Sequence, residues 1–330
     1  MKKNSFTAFL IERGFNREQI EYAINEVETL ESFLNEKGTG LSSCSALDIQ
    51  EYLDILIESE KNSIKKIIFL ARYFLNQKNN DIYIYFTQLL GVTGVVENIM
   101  KRYEIMVKKK DLKENISKKI TLLPAGSSPK KYPKFVQEFM RELKSHLTSE
   151  ETRWVLAGNN HQIPTKNFEE EKRRFLNADS IDEYLIKRHE RAVKTLKTHA
   201  EEEKVWFEQV ITHEVVVFVQ SNQEILSGKR ENNKIFVTKI PYNPSEYIQA
   251  TDKTHKQYAA CHCPFIRTHL LHNVSDIDPD WCYCSGGFAK APFEFFYGEE
   301  LKVEIVESCL TGSTKCRFAI TIPESDSYER

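Results

Sequence analysis

Apolar residues recur at three- and four-residue spacing through the first third of the chain, which predicts a series of amphipathic helices over residues 5–106. One of these helices has a clear start signal, because Asn16 can cap it and Gln19 stands three residues later. Ser45 precedes another helical pattern. We therefore predict a helical N-terminal domain that spans residues 1–106.

The stretch 107–134 departs from this pattern, since it holds nine lysines, only two acidic residues and three prolines. Proline and glycine in such a stretch predict a linker. It is either a lysine-rich connection exposed to solvent or a basic patch for a polyanion. Because neither interleaved aromatic residues nor arginines support the basic patch, we favour the connection.

Helical patterns return after residue 135, where Thr148 and Glu151 are spaced as a capping box. Residues 205–220 combine a β-branched run with helical spacing, and we interpret them as a helix. After residue 222 the pattern becomes typical of strands. The chain thus changes from helical to mixed structure in its last third.

Two hairpins are predicted in this last part. Residues 225–226 and 235–240 flank a polar turn, and residues 301–310 and 315–322 flank a short loop that contains glycine. The predicted fold class is therefore α+β: a helical N-terminal domain followed by a mixed domain over residues 135–330, with an antiparallel sheet and helices.

Composition fits a soluble globular protein, with 41% hydrophobic and 28% charged residues in a chain of 330. The net charge of −2 gives no reason to expect nucleic acid or an acidic membrane as a partner, and it leaves the oligomeric state open. Glu12 and Arg13 interrupt the first apolar run, so no secretory signal is visible. No run is long enough for a membrane-spanning helix, and no nucleotide-cofactor signature is present. We expect a cytoplasmic protein.

Six of the seven cysteines lie in one short stretch near the C-terminus, namely Cys261, Cys263, Cys282, Cys284, Cys309 and Cys316. Thiols stay reduced in the cytoplasm, so clustered cysteines there indicate metal binding or reactivity before they indicate disulfides. The chemistry of this chain is therefore expected in its last quarter.

Cys261, Cys263, Cys282 and Cys284 form two Cys-x-Cys motifs. If both segments are extended, each pair points one way, and four thiolates suit a tetrahedral zinc ion. A reactive-thiol site and a set of buried, inert cysteines are the two alternatives, and the spacing does not decide between the three.

Cys263 is the preferred nucleophile if the site is catalytic. Pro264 can open a helix directly after it, and the positive end of a helix lowers the pKa of a nearby thiol. His262 stands next to it and can assist proton transfer.

Glu307 is the candidate acid, base or ligand. If the last hairpin is symmetric about its loop, Cys309 stands opposite Cys316 and Glu307 opposite Phe318, on one largely apolar face. The same symmetry predicts Ile305 opposite Ile320 and Val303 opposite Ile322. Burial on such a face raises the pKa of a carboxyl group. Other interpretations stay open: Glu307 at the sheet edge, in water, and the two cysteines as small core residues. Cross-strand geometry also permits a disulfide between the two cysteines, but the expected compartment argues against it.

The closing part of the chain resembles the 4-vinyl reductase domain, on Gly287-Phe288, Gly298, Val303-Glu304, Glu307-Ser-Cys309, Gly312 and Cys316-Arg-Phe318. The Cys-His-Cys-Pro and Cys-Tyr-Cys-Ser segments are similar to proteins grouped near the L-2-amino-thiazoline-4-carboxylic acid hydrolases. The resemblance covers residues 200–323. It implies an α+β module with a small-molecule pocket between helices and sheet, near Glu307 and with Cys309 and Cys316 as cofactor- or ligand-binding residues. The extra cysteine pairs depart from the 4-vinyl reductase pattern, and no haem-binding signature is present.

The sequence is therefore compatible with three functions. The first is a small-molecule-binding protein that acts as a cysteine-dependent hydrolase of a small nitrogen- or sulfur-containing compound, in which Cys263 attacks and Glu307 or His262 moves protons. The second is a non-catalytic ligand- or metal-sensing module with structural zinc. The third is a DNA-associated regulator, based on the basic linker and on a resemblance of residues 9–56 to the core-binding domain of tyrosine recombinases. No recombinase catalytic set follows that segment.

Overall fold

The computed structural model of the chain describes residues 1–109, 116, 119–272 and 275–323. It shows an α+β fold with a helical N-terminal part, which confirms the predicted fold class. By contacts the chain divides into two compact units, one formed by Met1–Thr93 and Leu122–Tyr132, the other by Gly94–Thr121 and Pro133–Arg330.

The domain boundaries proposed from the sequence, at residues 106 and 134, stay a prediction. Residues 110–115 and 117–118 of the predicted linker lie outside the described residues. The DNA-associated function that drew on this linker likewise stays a prediction.

The first unit contains five helices, α1 (Lys3–Glu12), α2 (Arg17–Glu36), α3 (Ala46–Glu58), α4 (Ile64–Asn76) and α5 (Asn80–Leu90). The predicted capping box at the start of α2 is present: the Gln19 backbone N–H donates to Asn16 Oδ1, and the Asn16 N–H donates to Gln19 Oε1. The apolar faces of these helices bury one continuous core. Within the same unit, the Gln50 and Asn62 side chains donate to the Gly126 and Ala125 carbonyl oxygens at 3.1 and 2.9 Å.

The second unit contains the remaining helices, α6 (Val95–Lys109), α7 (Tyr132–His146), α8 (Ser149–Leu156), α9 (Glu169–Leu176), α10 (Ile181–Glu201), α11 (His213–Gln220), α12 (Pro244–Gln249), α13 (Lys253–Ala260), α14 (Arg267–His272) and α15 (Tyr283–Tyr297). The capping box of Thr148 and Glu151 is present at the start of α8. Gly298, in the left-handed conformation, ends α15. Across the described ranges, every helix falls short of the length or the apolar content that a membrane crossing requires.

Strands form a two-stranded and a four-stranded antiparallel sheet, from β1 (Val205–Trp206), β2 (Gln209–Val210), β3 (Lys229–Glu231), β4 (Lys234–Thr238), β5 (Lys302–Glu307) and β6 (Arg317–Thr321). The larger sheet has the order β3-β4-β6-β5. The interpretation of residues 205–220 as one helix is wrong, because Phe207 takes a left-handed turn between β1 and β2. Only α11 is helical there, and Thr212 caps it.

The last hairpin has a different register from the predicted one. Val303 pairs with Ile320 and Ile305 with Phe318, two residues away from the expected partners. The shift arises because the connection between the strands is long and contains a 3₁₀ turn, Cys309–Thr311. Since a shift of two residues preserves the face of each side chain, the apolar residues still share one face.

Candidate functional site

The central strands of the larger sheet bring Lys239 next to Cys316. β4 and β6 run antiparallel, with Thr238 opposite Arg317. One step further, the backbone N–H of Lys239 donates to the Cys316 carbonyl oxygen at 3.0 Å. Residues opposite each other in an antiparallel pair share a face of the sheet. The ammonium group of Lys239 and the thiol of Cys316 therefore belong to the same face.

Cys309 reaches Cys316 from the connection between β5 and β6. Ser308 caps the 3₁₀ turn that begins at Cys309, and its hydroxyl accepts from the Thr311 backbone N–H at 3.2 Å. This turn places the Cys309 and Cys316 sulfur atoms 3.6 Å apart, in a buried hydrogen bond. The predicted proximity of these two cysteines is therefore confirmed, although neither lies within a strand.

The first Cys-x-Cys motif follows α13, which ends at Ala260, and leaves the helical conformation at Cys261. Cys261 is a neighbour of Cys309 and raises the pKa of its thiol. Cys263 instead accepts a hydrogen bond from the Trp281 indole N–H, with 3.4 Å between nitrogen and sulfur. Trp281 is buried against Phe265 and fixes this thiol in place.

The second motif is helical, so the expectation that it is extended is wrong. Cys282 ends a 3₁₀ turn, and Cys284 lies in the first turn of α15. Residues two apart on a helix do not face the same direction. Cys282 accordingly lines the pocket described below, whereas the Cys284 sulfur lies 3.7 Å from Nε2 of His161.

Two adjacent glycines explain how the start of α15 comes so close to its neighbours. A Cβ atom on Gly286 would lie 3.2 Å from Val303 of the sheet. A Cβ atom on Gly287 would overlap the Gly158 carbonyl oxygen in the segment after α8. This close approach sets Cys282 against the sheet and Cys284 against the segment that carries His161.

The elements converge on one narrow pocket, which we call the thiol pocket. Five of the six clustered cysteines line it, and its lining residues are Lys239, Cys261, His262, Cys263, Ile266, Cys282, Ser285, Cys309, Leu310, Cys316 and Phe318. Its free space holds about one water molecule. The convergence of sulfur atoms from separate loops, which the sequence predicted, is present in the structure.

Electrostatics separate Cys316 from the other thiols of the pocket. The hydrogen bond that Cys316 shares with the Cys309 thiol lowers the pKa of Cys316 to about 7, because Cys309 can donate to the Cys316 sulfur once it is ionised, and burial opposes this effect. The Cys309 backbone N–H and the Lys239 ammonium also lower the Cys316 pKa. The same sulfur contacts, with Cys261 and Cys316, raise the pKa of Cys309. Burial raises the pKa of Cys263 and of Cys282. Cys316 is therefore the cysteine of the pocket that most readily forms a thiolate.

Cys284 and His161 form a second, more buried pair beside the pocket. Burial raises the pKa of Cys284 to about 11, although Lys239 and Asn160 oppose this. Burial lowers the pKa of His161 to about 4, and the Lys239 charge lowers it further. Both groups are thus neutral near pH 7. The ring of His161 packs edge-on against Phe288, at 5.5 Å between centroids.

Lys239 links the two parts of the site. Its ammonium group donates to Ser285 Oγ at 3.4 Å and lies 4.8 Å from the centre of the Phe288 ring. Its charge lowers the pKa of Cys316, of Cys284 and of His161. Sequence reasoning did not select Lys239 or His161 because each joins the cysteines only through long-range contacts.

Cys263 and His262 do not have the surroundings on which their catalytic assignment rested. Pro264 does not open a helix; α14 begins at Arg267 and is only six residues long. The Cys263 pKa is raised and not lowered. The His262 ring meets oxygen atoms on both sides, the Ile240 carbonyl at Nε2 and Glu208 Oε1 at Nδ1, 3.4 Å away.

Glu307 lies apart from the thiol pocket. After a bulge in β5 it pairs with Arg317 and not with Phe318. Ser313 Oγ donates to its carboxylate at 2.7 Å, and the Lys315 ammonium lies 3.0 Å away. Partial burial would raise its pKa, but these two partners outweigh that effect and hold it below the usual value. The expectation of a raised pKa is therefore wrong.

The expected four-cysteine zinc set is divided, because Cys284 turns towards His161. Over the part of the chain that the structure describes, no group of three or more His, Cys, Asp or Glu side chains is arranged to hold a metal ion. Zinc binding stays a prediction, and so does the role of Cys309 and Cys316 in cofactor binding.

A sequence model of a family of unknown function, DUF6144, matches residues 226–327. No curated protein and no solved structure matches the chain. The matched range contains every residue that lines the thiol pocket, but Asn160 and His161 lie outside it. The resemblance to the 4-vinyl reductase domain and to the thiazoline-carboxylate hydrolases stays a prediction.

Proposed function

We propose that the second unit binds a small molecule at the thiol pocket and that Cys316 attacks it, as in a cysteine-dependent hydrolase. The observation that carries this proposal is the position of Cys316, in the pocket wall between the Cys309 thiol and the Lys239 ammonium. The thiolate is the nucleophilic form of cysteine. Both neighbours favour it, since the Cys309 thiol can donate a hydrogen bond to a Cys316 thiolate and Lys239 is a cation.

The pocket supports chemistry on a reacting group of few atoms. Attack by the Cys316 sulfur on an electrophilic carbon forms a carbon–sulfur bond and breaks the bond to a nitrogen or sulfur leaving atom. Lys239 and Ser285 are the donors that the pocket offers to that departing atom. Water then cleaves the new bond and releases Cys316. A nitrogen- or sulfur-containing substrate remains the class that the sequence resemblance suggests.

Alkylation mapping tests the proposal on the full chain. The reduced protein is treated with limiting iodoacetamide near neutral pH, and mass spectrometry of its peptides identifies the first cysteine to be modified. We expect Cys316, and we expect Cys316→Ser to remove the fast phase of labelling.

Cys44→Ser is the matched control, because Cys44 is also buried but belongs to the first unit. It should leave the fast phase unchanged. If Cys263 or another cysteine is labelled first while Cys316 stays unmodified, the assignment of the nucleophile is wrong.

A zinc-binding module is the second candidate, favoured by the sulfur spacing at one point of the pocket. Zinc–sulfur bonds of about 2.3 Å in a tetrahedral site place sulfur atoms roughly 3.8 Å apart, and Cys309 and Cys316 are 3.6 Å apart. Elemental analysis of the purified chain separates the candidates. About one zinc per chain, with every cysteine of the pocket protected from iodoacetamide, would favour the module and contradict the hydrolase.

A further inference from the structure

The thiol pocket contains two sulfur atoms in contact, those of Cys309 and Cys316. The Cys261 side chain is a further neighbour of Cys309 and, like Cys316, raises its pKa. The Cys309 and Cys316 sulfurs are 3.6 Å apart, and both residues are buried, at 1% and 9% exposure. A disulfide bond needs about 2.05 Å between sulfur atoms. Each sulfur therefore has to move by less than 1 Å, which is roughly half of the difference.

The loop between the strands allows such a movement without breaking the sheet. Cys309 lies in a 3₁₀ turn, and Cys316 directly precedes β6. Seven residues of sequence separate the two positions. The paired residues of β5 and β6, from Lys302 to Glu307 and from Arg317 to Thr321, lie outside this closed segment. A disulfide bond between these sulfurs therefore restricts only the loop between β5 and β6.

We propose that Cys316 and Cys309 form a reversible disulfide when the protein meets hydrogen peroxide. Hydrogen peroxide is small enough to approach the two sulfurs, since the free space of the pocket is close to its size. The inference rests on the proposed function in one respect, because both require Cys316 to react as a thiolate.

The chemistry has two steps. The Cys316 thiolate attacks one oxygen of the peroxide, the O–O bond breaks, hydroxide leaves, and the sulfur becomes a sulfenic acid, oxidised by two electrons. The Cys309 sulfur then attacks the Cys316 sulfur, the S–S bond forms, and the S–O bond breaks. Water leaves with the proton of the Cys309 thiol. A small dithiol reductant reverses the reaction by thiol–disulfide exchange, which returns both thiols.

The consequence is a site that oxidation switches off. The disulfide occupies the sulfur that the proposed reaction needs, so an oxidised chain should neither alkylate at Cys316 nor turn over a substrate. Cys309 then has two roles: it stabilises the Cys316 thiolate in the reduced protein and it receives the bond in the oxidised protein.

Peptide mapping after peroxide treatment tests this inference. Trypsin cleaves after Lys302, Lys315 and Arg317, so Cys309 and Cys316 fall in different peptides. The reduced full chain is treated with a small excess of hydrogen peroxide and the remaining thiols are blocked. We expect the dipeptide Cys316-Arg317 to be found attached to peptide 303–315, and we expect a dithiol to release it.

Three variants sharpen the test. Cys309→Ser should leave a sulfenic acid on Cys316, which dimedone traps, because no thiol stands in position to resolve it. Cys316→Ser should form neither product. Cys261→Ser is the matched control, since it removes the other sulfur neighbour of Cys309 and should leave the bond to Cys316 unchanged.

The outcomes separate this inference from the proposed function. Fast alkylation of Cys316 without any bond to Cys309 after peroxide would overturn the inference and leave the nucleophile in place. A peroxide-induced bond that joins other cysteines would also overturn it. Absence of any Cys316 reactivity, with alkylating reagents and with peroxide, would overturn both.

Discussion

Cys44 in the first unit and Cys316 in the second are the same residue type at almost the same exposure, 7% and 9%. The Cys44 thiol donates to the Leu41 carbonyl oxygen at 3.7 Å, and burial raises its pKa to about 11, with a further increase from the negative charge of Asp48. The Cys316 pKa is instead about 7. Burial disfavours the thiolate in both places, so the neighbours decide the difference.

The difference between Cys44 and Cys316 shows that a cluster of cysteines does not by itself define a reactive site. A buried thiol beside a carboxylate keeps its proton, whereas a buried thiol that has another thiol as hydrogen-bond partner and lies near an ammonium group loses it more easily. The same reasoning separates Cys316 from Cys263 and Cys282, which share its pocket but not its donors.

The largest expected effect is a difference between Cys44 and Cys316 in how the rate of alkylation depends on pH. At neutral pH a much larger fraction of Cys316 than of Cys44 is thiolate, because the pKa of Cys316 is lowered and that of Cys44 is raised. The more basic thiolate is intrinsically more nucleophilic, so the ratio of the two rates is smaller than the ratio of the thiolate fractions but still favours Cys316. Each pKa is that of an acid, so the Cys316 rate should rise with pH up to about 7 and then level off, whereas the Cys44 rate keeps rising towards about pH 11.

Quantitative mass spectrometry of isotopically labelled iodoacetamide adducts measures both rates in one sample. Labelling of the urea-unfolded chain normalises them, because all thiols are equally accessible there. Equal rates for Cys44 and Cys316 across the pH range would remove the distinction between the two sites.

The next effect concerns the hydrogen bond between Cys309 and Cys316. Cys309→Ala removes the hydrogen bond that contributes most to the low pKa of Cys316. A hydrogen bond to a charged acceptor is worth about 1.5–3 kcal/mol. The midpoint of the alkylation profile should therefore move from about 7 to 8 or higher.

Cys309→Ser serves as the conservative variant for this test, since its hydroxyl group still donates. The pH midpoint of Cys316 alkylation in Cys309→Ser should therefore stay closer to that of the wild-type chain than the midpoint in Cys309→Ala. A midpoint that does not move in either variant would show that Cys309 has no influence on the Cys316 thiolate.

A smaller effect is expected from Lys239, because its charge lowers the pKa of Cys316 by less than the hydrogen bond with Cys309 does. Lys239→Met keeps much of the length and apolar surface of the side chain and removes the charge. The Cys316 midpoint should rise, but by less than in Cys309→Ala.

Lys234→Met is the matched control in the same strand. Lys234 forms an ion pair with Glu304 at 2.8 Å and, five residues from Lys239, it lies on the opposite face of the sheet. It should leave the midpoint unchanged. Equal shifts in both variants would indicate a general charge effect instead of a local contact.

Sequence patterns predicted the apolar face of the last hairpin, because an even shift in register leaves each side chain on its face of the sheet. They also predicted the proximity of Cys309 to Cys316, which the loop achieves although neither cysteine lies within a strand. They did not predict the direction of Cys284, since a short Cys-x-Cys segment carries little information on whether it is extended or helical. Asp278 and Pro279 before it start a 3₁₀ turn that leads directly into α15.

Lys239 and His161 depend on long-range packing that local patterns do not encode. Lys239 meets Cys316 only because β4 pairs with β6 in one particular register. His161 meets Cys284 only because Gly287 lets α15 approach the segment after α8. A single sequence offers no signal for either contact.

The smallest expected effect tests Glu307, the acid or base that the hairpin pattern suggested. Its carboxylate accepts from Ser313 and pairs with Lys315, outside the lining of the thiol pocket. Glu307→Gln should therefore leave the Cys316 alkylation midpoint unchanged and cost only about 0.5 kcal/mol in the free energy of unfolding, as expected for a partly exposed ion pair. Urea unfolding measures the second quantity. A large fall in Cys316 reactivity, with stability preserved, would instead restore Glu307 as a participant in the chemistry.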